Sequence, residues 1–345
     1  MPDVRAVTVS APGQISVEEV PDATLPGPGG AVVKVEATAI CGSDLHFYDG
    51  DLPLYPVAVG HEAIGTVAEV GAQVDGFAVG DRVLVASVAG CGDCAGCATL
   101  DPVACLGGAK VFGSGELGGA QSDLLAVPAA DFNLLTIPDG VSDEAALLLT
   151  DNLGTGWAAA TRADVAPGET VLVLGLGAVG QCAVRCAIAL GARVLAYDPV
   201  EGRRAMAEKT GATALTGTPE DVVPAVLEAT GGRGAAAVID AVGHNATVDT
   251  AFAAVRSTGT VSVVGIHDLE PYPLALLMGT FRSITLRMTT APVHRTWGEL
   301  LPLVADGRLD TSGIFTHTYP LHEAATAYAA VASRSADCLK AMLIP

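Results

Sequence analysis

Val171-Leu172-Val173-Leu174-Gly175-Leu176-Gly177-Ala178-Val179-Gly180 decides how the second half of this chain folds. A short apolar run ends in a turn of the form G-x-G-x-x-G and gives way to AVGQCAVRCAIALGA, which reads as a helix. In that strand–turn–helix context each glycine has its own task. Gly175 permits the tight turn, Gly177 lets the backbone approach a pyrophosphate, and Gly180 lets the helix pack on the strand. Ala178 and Val179 open the helix, whose first N–H groups and partial positive charge suit phosphates. The next strand-like run, RVLAYD, ends in Asp198, eighteen residues after Gly180. A carboxylate there can accept from both adenine-ribose hydroxyls and repels a 2′-phosphate, which favours NAD over NADP. Arg203 and Arg204 follow closely and temper that preference, because an arginine can accommodate the extra phosphate. The plainer alternative leaves the glycines as a turn and Asp198 as a helix cap.

Outward from this turn, apolar strands alternate with helical stretches: EGRRAMAEKTG, ATAL, DVVPAVLEAT, AAAVIDAVG, a helix near VDTAFAAVRS, then GTVSVVG. The alternation predicts a doubly wound parallel sheet over 151–289, with SITLRM (283–288) as its sixth strand. Residues 1–150 have a different texture. AVVKVEATAI, EAIGTVAEVG and DRVLVASVA are short β-rich runs broken by Gly, Pro and Asp, so a β-rich domain is expected there. The segment 290–345 contains a helix-like WGELLPLVADGRL and closes on the strand-like CLKAMLIP. It is expected to fold back onto residues 1–150, which makes that domain discontinuous. The fold class is therefore α/β, a β-rich domain plus a Rossmann-type sheet domain.

Length and composition agree with two domains: 345 residues, half of them apolar and 16% charged, can bury large interiors. A net charge of −20 argues against nucleic acid and anionic membranes as partners, since both call for basic surface. The N-terminus lacks a signal-peptide pattern, and no apolar run reaches the roughly 18 residues of a membrane helix, so a cytoplasmic protein is expected.

Four of the eight cysteines lie in GCGDCAGCATLDPVAC: Cys91, Cys94, Cys97 and Cys105, spaced C-x2-C-x2-C-x7-C. Thiolates this close can turn onto one tetrahedral ion while the intervening glycines relieve the backbone. Four sulfurs close the shell and leave no place for substrate, the signature of structural zinc. An iron–sulfur cluster is the competing metal.

CGSDLHFYDG, GHEAIGTVAEVG, the cysteine cluster and GLGAVG, in that order, resemble the successive signatures of the zinc-containing medium-chain alcohol dehydrogenase family, and the likeness spans essentially the whole chain. It implies a GroES-like catalytic domain, a Rossmann domain, and two zinc ions per subunit with NAD. Cys41 and His61 match the first two ligands of the catalytic zinc. Asp151, in TDNLGTGWAA, stands where several bacterial members carry an aspartate ligand and better-known members a cysteine. Glu62 matches the acid that approaches the metal, Asp44 the acid that orients the zinc-bound histidine, Ser43 the relay hydroxyl and His46 the terminal proton acceptor. Gly42 departs from the basic residue common in animal enzymes, and Lys340 matches a C-terminal basic position that can reach the pyrophosphate. Ser87 occupies a pocket position that is often bulky, while Trp157 and Phe47 are possible apolar walls. Taken singly, Cys41, His61 and Asp151 could be a packing thiol, a core histidine and a helix cap.

A Cys, His and carboxylate set with one open position is a catalytic zinc arrangement on first principles too. The expected activity is reversible oxidation of a primary or secondary alcohol to an aldehyde or ketone, with hydride passing to NAD. A polyol or sugar dehydrogenase on the same scaffold and a non-enzymatic NAD-binding family member are the alternatives. The small-molecule substrate is the expected partner, together with further copies of the chain in a homodimer or homotetramer joined through the sheet edge at 283–288.

Overall fold

The structure, a computed structural model, describes residues 4–266, 272–335 and 337–345. Two compact units are present: Met1–Gly154 with Ala291–Gly307 and Thr311–Pro345, and Thr155–Thr290 with Arg308–Asp310.

The second unit carries six parallel strands. Across the sheet they run Thr213–Ala214, Arg193–Tyr197, Thr170–Leu174, Ala235–Asp240, Val255–Val263 and Thr285–Met288. Numbered along the chain this is the order 3-2-1-4-5-6, the doubly wound arrangement expected from the sequence. Every residue of Thr170–Leu174 and Ala235–Asp240 is buried, which is why these strands read as continuous apolar runs rather than alternating ones. The strand order reverses between these two, and the glycine turn leaves the C-terminal end of the first. The helix Ala178–Ala189 starts there.

The three glycines differ physically. Gly175 has φ +81°, and a Cβ on it would lie 2.3 Å from Val242 Cγ2. A Cβ on Gly180 would lie 1.9 Å from the Gly175 carbonyl oxygen, so this glycine lets the helix close onto the turn. A Cβ on Gly177 would meet no protein atom within 4 Å: its side of the turn is open.

The boundary after the helix at VDTAFAAVRS differs from the sequence reading. The helix begun at Asn245 ends at Ala254, and VRS of VDTAFAAVRS belongs to the strand Val255–Val263. Parallel pairing of Val255 with Ala235 competes successfully with the helical periodicity there.

In the first unit, the long strand Ala31–Ala39 is the hub of a seven-stranded sheet. It pairs antiparallel with Ala63–Val70, with Leu124–Val127 and with the C-terminal strand Ala341–Ile344. The C-terminal strand also runs parallel to His317–Pro320, so the end of the chain does return to the β-rich unit. A three-stranded sheet of Gln14–Val20, Val4–Ala11 and Val57–Ala58 adjoins it in sequence. The helix Ala324–Ala332, whose alanine-rich sequence gave no period, buries Ala324, Ala327, Tyr328 and Val331 in a core shared with Val7, Val9, Ile40 and Val59. Phe47 sits in the same core at 7% exposure.

Candidate metal centres and dinucleotide site

Two groups of metal-ligating side chains gather among the described residues, both within the first unit. In one, donor atoms of Cys41, His61, Glu62 and Asp151 all lie within 4.8 Å of one another; in the other, the four sulfurs of Cys91, Cys94, Cys97 and Cys105 do the same.

Backbone geometry assembles the first group. Cys41 follows the hub strand at the start of a turn that leads into the short helix Asp44–Asp49. His61 and Glu62 stand just before Ala63–Val70, behind Gly60 at φ +95°. Asp151 comes two residues after the helix Asp143–Leu149, whose N-cap Ser142 accepts from Ala145 N. The His61 ring is held at both nitrogens: Nε2 lies 3.1 Å from Asp151 Oδ2 and 3.5 Å from Ser43 Oγ, while Nδ1 lies 3.3 Å from Asp44 Oδ1. Asp44 is itself anchored, its Oδ2 accepting from Cys41 N at 2.9 Å. His46 Nδ1 faces Asp51 Oδ2 at 3.0 Å, with a quarter of its side chain exposed.

Burial alone would depress the His61 pKa. The charges of Asp44 and Cys41, with the hydrogen bond to Asp151, instead lift it well above the ordinary imidazole value. These surroundings favour a positive charge at the point where the donors converge. A thiolate, an imidazole nitrogen and a carboxylate around such a point suit zinc.

The cysteine lobe is built from local turns. A Cβ on Gly96 would lie 1.7 Å from the Ala104 carbonyl oxygen, so the fold of the loop requires glycine there. Leu106 N and Cys97 N both donate to Cys94 Sγ at 3.4 Å. Those N–H groups lower the Cys94 thiol to about 6, which makes it a thiolate at neutral pH, the form a metal binds. All four cysteines are free thiols.

At the glycine turn, Asp198 is 4% exposed and its carboxylate is already engaged: Leu176 N donates to Oδ2 and Val200 N to Oδ1, each at 2.8 Å. Arg203 Nη1 stands 3.6 Å from Oδ2. An ionised carboxylate has about four acceptor positions, so capacity for ribose hydroxyls is left.

Comparison with known proteins agrees with this architecture. Residues 27–139 match the alcohol dehydrogenase GroES-like domain, and residues 178–306 match the zinc-binding dehydrogenase domain. A probable zinc-binding alcohol dehydrogenase of Mycobacterium tuberculosis is 57% identical, over 99% of this chain and 89% of its own. The solved alcohol dehydrogenase TADH from Thermus sp. ATN1 superposes with a TM-score of 0.93 at 34% identity, covering 99% of each chain. An alcohol dehydrogenase from E. coli CFT073, solved in complex with NADH, has a TM-score of 0.89 at 26% identity over 99% of each. The chain belongs to the zinc-containing medium-chain alcohol dehydrogenase family.

Several side chains of this family member make contacts that its sequence did not foretell. Lys340 is the clearest case. Its ammonium is 1% exposed and bonds Glu62 Oε1 at 2.9 Å and the Ile40 carbonyl at 3.3 Å, so the charge it meets within the protein is that of Glu62. The cause is tertiary: Ala341 O accepts from Ile40 N where the C-terminal strand joins the hub, which carries Lys340 in beside Cys41. Burial would pull the Lys340 pKa down, and Glu62 and Cys41 reverse that. Asn152 Nδ2 donates to the same Glu62 oxygen at 3.1 Å, whereas the buried Oε2 has no partner. Gln121 and Tyr328 also enter the site, behind Asp44. Trp157 and the thiols of Cys182, Cys186 and Cys338 are buried packing groups. His244, His317 and His322 lie in no donor cluster, and His267 lies outside the described residues.

His294, which no motif marked, braces the cysteine lobe. Its Nε2 donates to Asn133 Oδ1 at 3.2 Å, its ring stacks on Phe132 at 4.3 Å, and Asn133 bonds both N and O of Gly90, next to Cys91. Burial brings the imidazole down to about 4. An unfolded histidine titrates near about 6.5, so between the two values the unfolded chain holds the additional proton. This contribution is complete above the unfolded value and is lost as pH falls through the folded one, roughly 3 kcal/mol in full. We expect the urea midpoint to fall more steeply from pH 7 to 4.5 in the natural protein than in His294→Phe. Parallel slopes would show that His294 does not carry the effect.

Proposed function

We propose that this protein oxidises a primary or secondary alcohol to the aldehyde or ketone, reversibly, with NAD as hydride acceptor. In this reading Cys41, His61 and Asp151 hold a catalytic zinc, and Cys91, Cys94, Cys97 and Cys105 hold a structural one. The observation that carries it is the convergence of Cys41, His61, Glu62 and Asp151 donors within 4.8 Å, on an imidazole whose other nitrogen faces Asp44. Bound there, zinc acts as a Lewis acid that makes a substrate hydroxyl easier to deprotonate at neutral pH. Cys41, His61 and Asp151 would hold the catalytic ion with three side-chain donors, and Cys91, Cys94, Cys97 and Cys105 would hold the structural one with four. In this reading Ser43, whose Oγ lies 3.5 Å from His61 Nε2, is the relay hydroxyl, and His46, partly exposed against Asp51, the terminal proton acceptor. Gly175, Gly177 and Gly180, with Ala178 and Val179 opening the helix, supply a phosphate cradle, and Asp198 supplies acceptors for ribose. The NADH bound by the E. coli relative supports a nicotinamide dinucleotide in this cradle.

A polyol or sugar substrate is the second reading. Ser87 Oγ is buried with no partner among the described residues, and Ser87 N donates to Thr150 O, next to Asp151. A hydroxyl in that position suits a substrate with a second hydroxyl better than a plain alkyl chain. The test is NADH formation by the zinc-loaded protein across primary, secondary, aromatic and polyol substrates, with NADP in parallel and zinc counted. NAD-dependent turnover with two zinc ions per chain is expected; no turnover on any of them would overturn the reading.

Self-association belongs to the same proposal. Thr285–Met288 is an edge strand, and the neighbouring helix Leu276–Arg282 exposes Leu276, Leu277 and Phe281 by 69% or more. Sedimentation is expected to show a dimer or tetramer through this edge; a lone 34.6 kDa species would remove it.

A further inference from the structure

Behind His61 runs a row of buried side chains that ends on a helix near the C-terminus. Asp44 Oδ1 faces His61 Nδ1, and Gln121 Nε2 donates to Asp44 Oδ2 at 3.2 Å and to the Ala39 carbonyl at 3.1 Å. Tyr328 OH donates to Gln121 Oε1 at 2.9 Å. Tyr328 and Gln121 are fully buried, Asp44 is 1% exposed and His61 6%. Water is therefore a poor substitute for any link.

The directions of these bonds are fixed by chemistry. The Gln121 nitrogen faces a carboxylate and a carbonyl, which are both acceptors, so a reversed amide would oppose oxygen to oxygen twice. The Tyr328 hydroxyl must then donate to the remaining amide oxygen. Asp44 Oδ2 accepts from Gln121 and from Cys41 N, which leaves Oδ1 to face His61 Nδ1. With Nδ1 as the donor, the Nε2 lone pair points into the cluster of Cys41 and Asp151.

The backbone holds Gln121 as firmly. Gln121 N donates to Val59 O, and Val7 N donates to Gln121 O. A Cβ on Gly60 would lie 2.4 Å from Gln121 Cγ, so the glycine of Gly60-His61-Glu62 is shaped around this glutamine.

We infer that Gln121 and Tyr328 are positioning residues for the catalytic metal: through Asp44 they fix the tautomer and orientation in which His61 offers Nε2. The inference rests on the zinc reading above. Groups that orient a metal-bound histidine are worth about 10–100-fold in metal affinity, and these lie one and two links further out.

The test follows zinc release from the loaded protein into excess EDTA, with Cys41→Ser marking which kinetic phase belongs to the four-cysteine lobe. Gln121→Leu is expected to speed release from the catalytic site roughly tenfold and Tyr328→Phe several-fold. The four-cysteine phase serves as an internal standard and stays unchanged. Because Tyr328→Phe removes a single oxygen, it carries the test if Gln121→Leu fails to fold. Natural rates in both variants, or both phases accelerating together, would overturn the inference while leaving the zinc reading intact. A natural protein with one zinc, none of it lost in Cys41→Ser, would remove both.

Discussion

Cys41→Ser is expected to lower kcat/KM for NAD-dependent alcohol oxidation by roughly a thousandfold while leaving the fold unchanged. Serine keeps the shape of the turn, but its hydroxyl stays protonated where a thiolate ligand is needed. The metal's help to the reaction is worth several kcal/mol, and each 1.36 kcal/mol is a factor of ten in rate. Cys41 is only partly buried and stands in a turn beyond the end of a strand, so its loss opens no core cavity. Zinc content should fall from two per chain to one, because the cysteine lobe is a separate group. Steady-state kinetics with metal analysis decides the matter: a variant that keeps a tenth of the activity, or both zinc ions, would exclude Cys41 as a ligand.

Lys340→Met is expected to cost about 3–5 kcal/mol of stability, the usual penalty for removing one partner of a buried ion pair. Glu62 is completely buried, and without the ammonium its Oε1 keeps only Asn152 while Oε2 still has nothing. Burial already lifts the Glu62 carboxyl above its ordinary value with Lys340 in place. Removing the lysine drives it further towards the neutral acid. The double variant Glu62→Gln, Lys340→Met takes away both charges and should recover much of the loss, since a buried pair as a whole adds little. Urea unfolding of the three proteins measures this. A single variant within about 1 kcal/mol of the natural protein would mean that the pair is already solvated or neutral.

Lys340 and Asp198 illustrate opposite fates of a residue singled out by pattern. Asp198 is eighteen positions from the glycine turn in sequence, and one parallel strand pair brings it back to Leu176 N. A βαβ unit has few ways to fold, so spacing along the chain translates into position in space. Lys340 reaches Glu62 across 278 residues, and Tyr328 reaches Gln121 across 207. Such contacts depend on the C-terminal strand choosing Ala31–Ala39 as its partner, and no local period encodes that choice. The helix Ala324–Ala332 was missed for a related reason, since a run of alanines offers no contrast between an apolar face and a polar one.

By itself the sequence determined what short-range geometry controls: the order of strands and helices in the parallel sheet, the glycine turn with its acid, and the four cysteines separated by two to seven intervening residues. Backbone stereochemistry over a few residues leaves those patterns little freedom. Tertiary structure alone decided which side chains stand behind the donors. Lys340 and Asn152 on Glu62, Gln121 and Tyr328 behind Asp44, and His294 against Asn133 are buried polar contacts between distant segments. Each exists because a polar group withdrawn from water needs a partner wherever the packed chain can supply one.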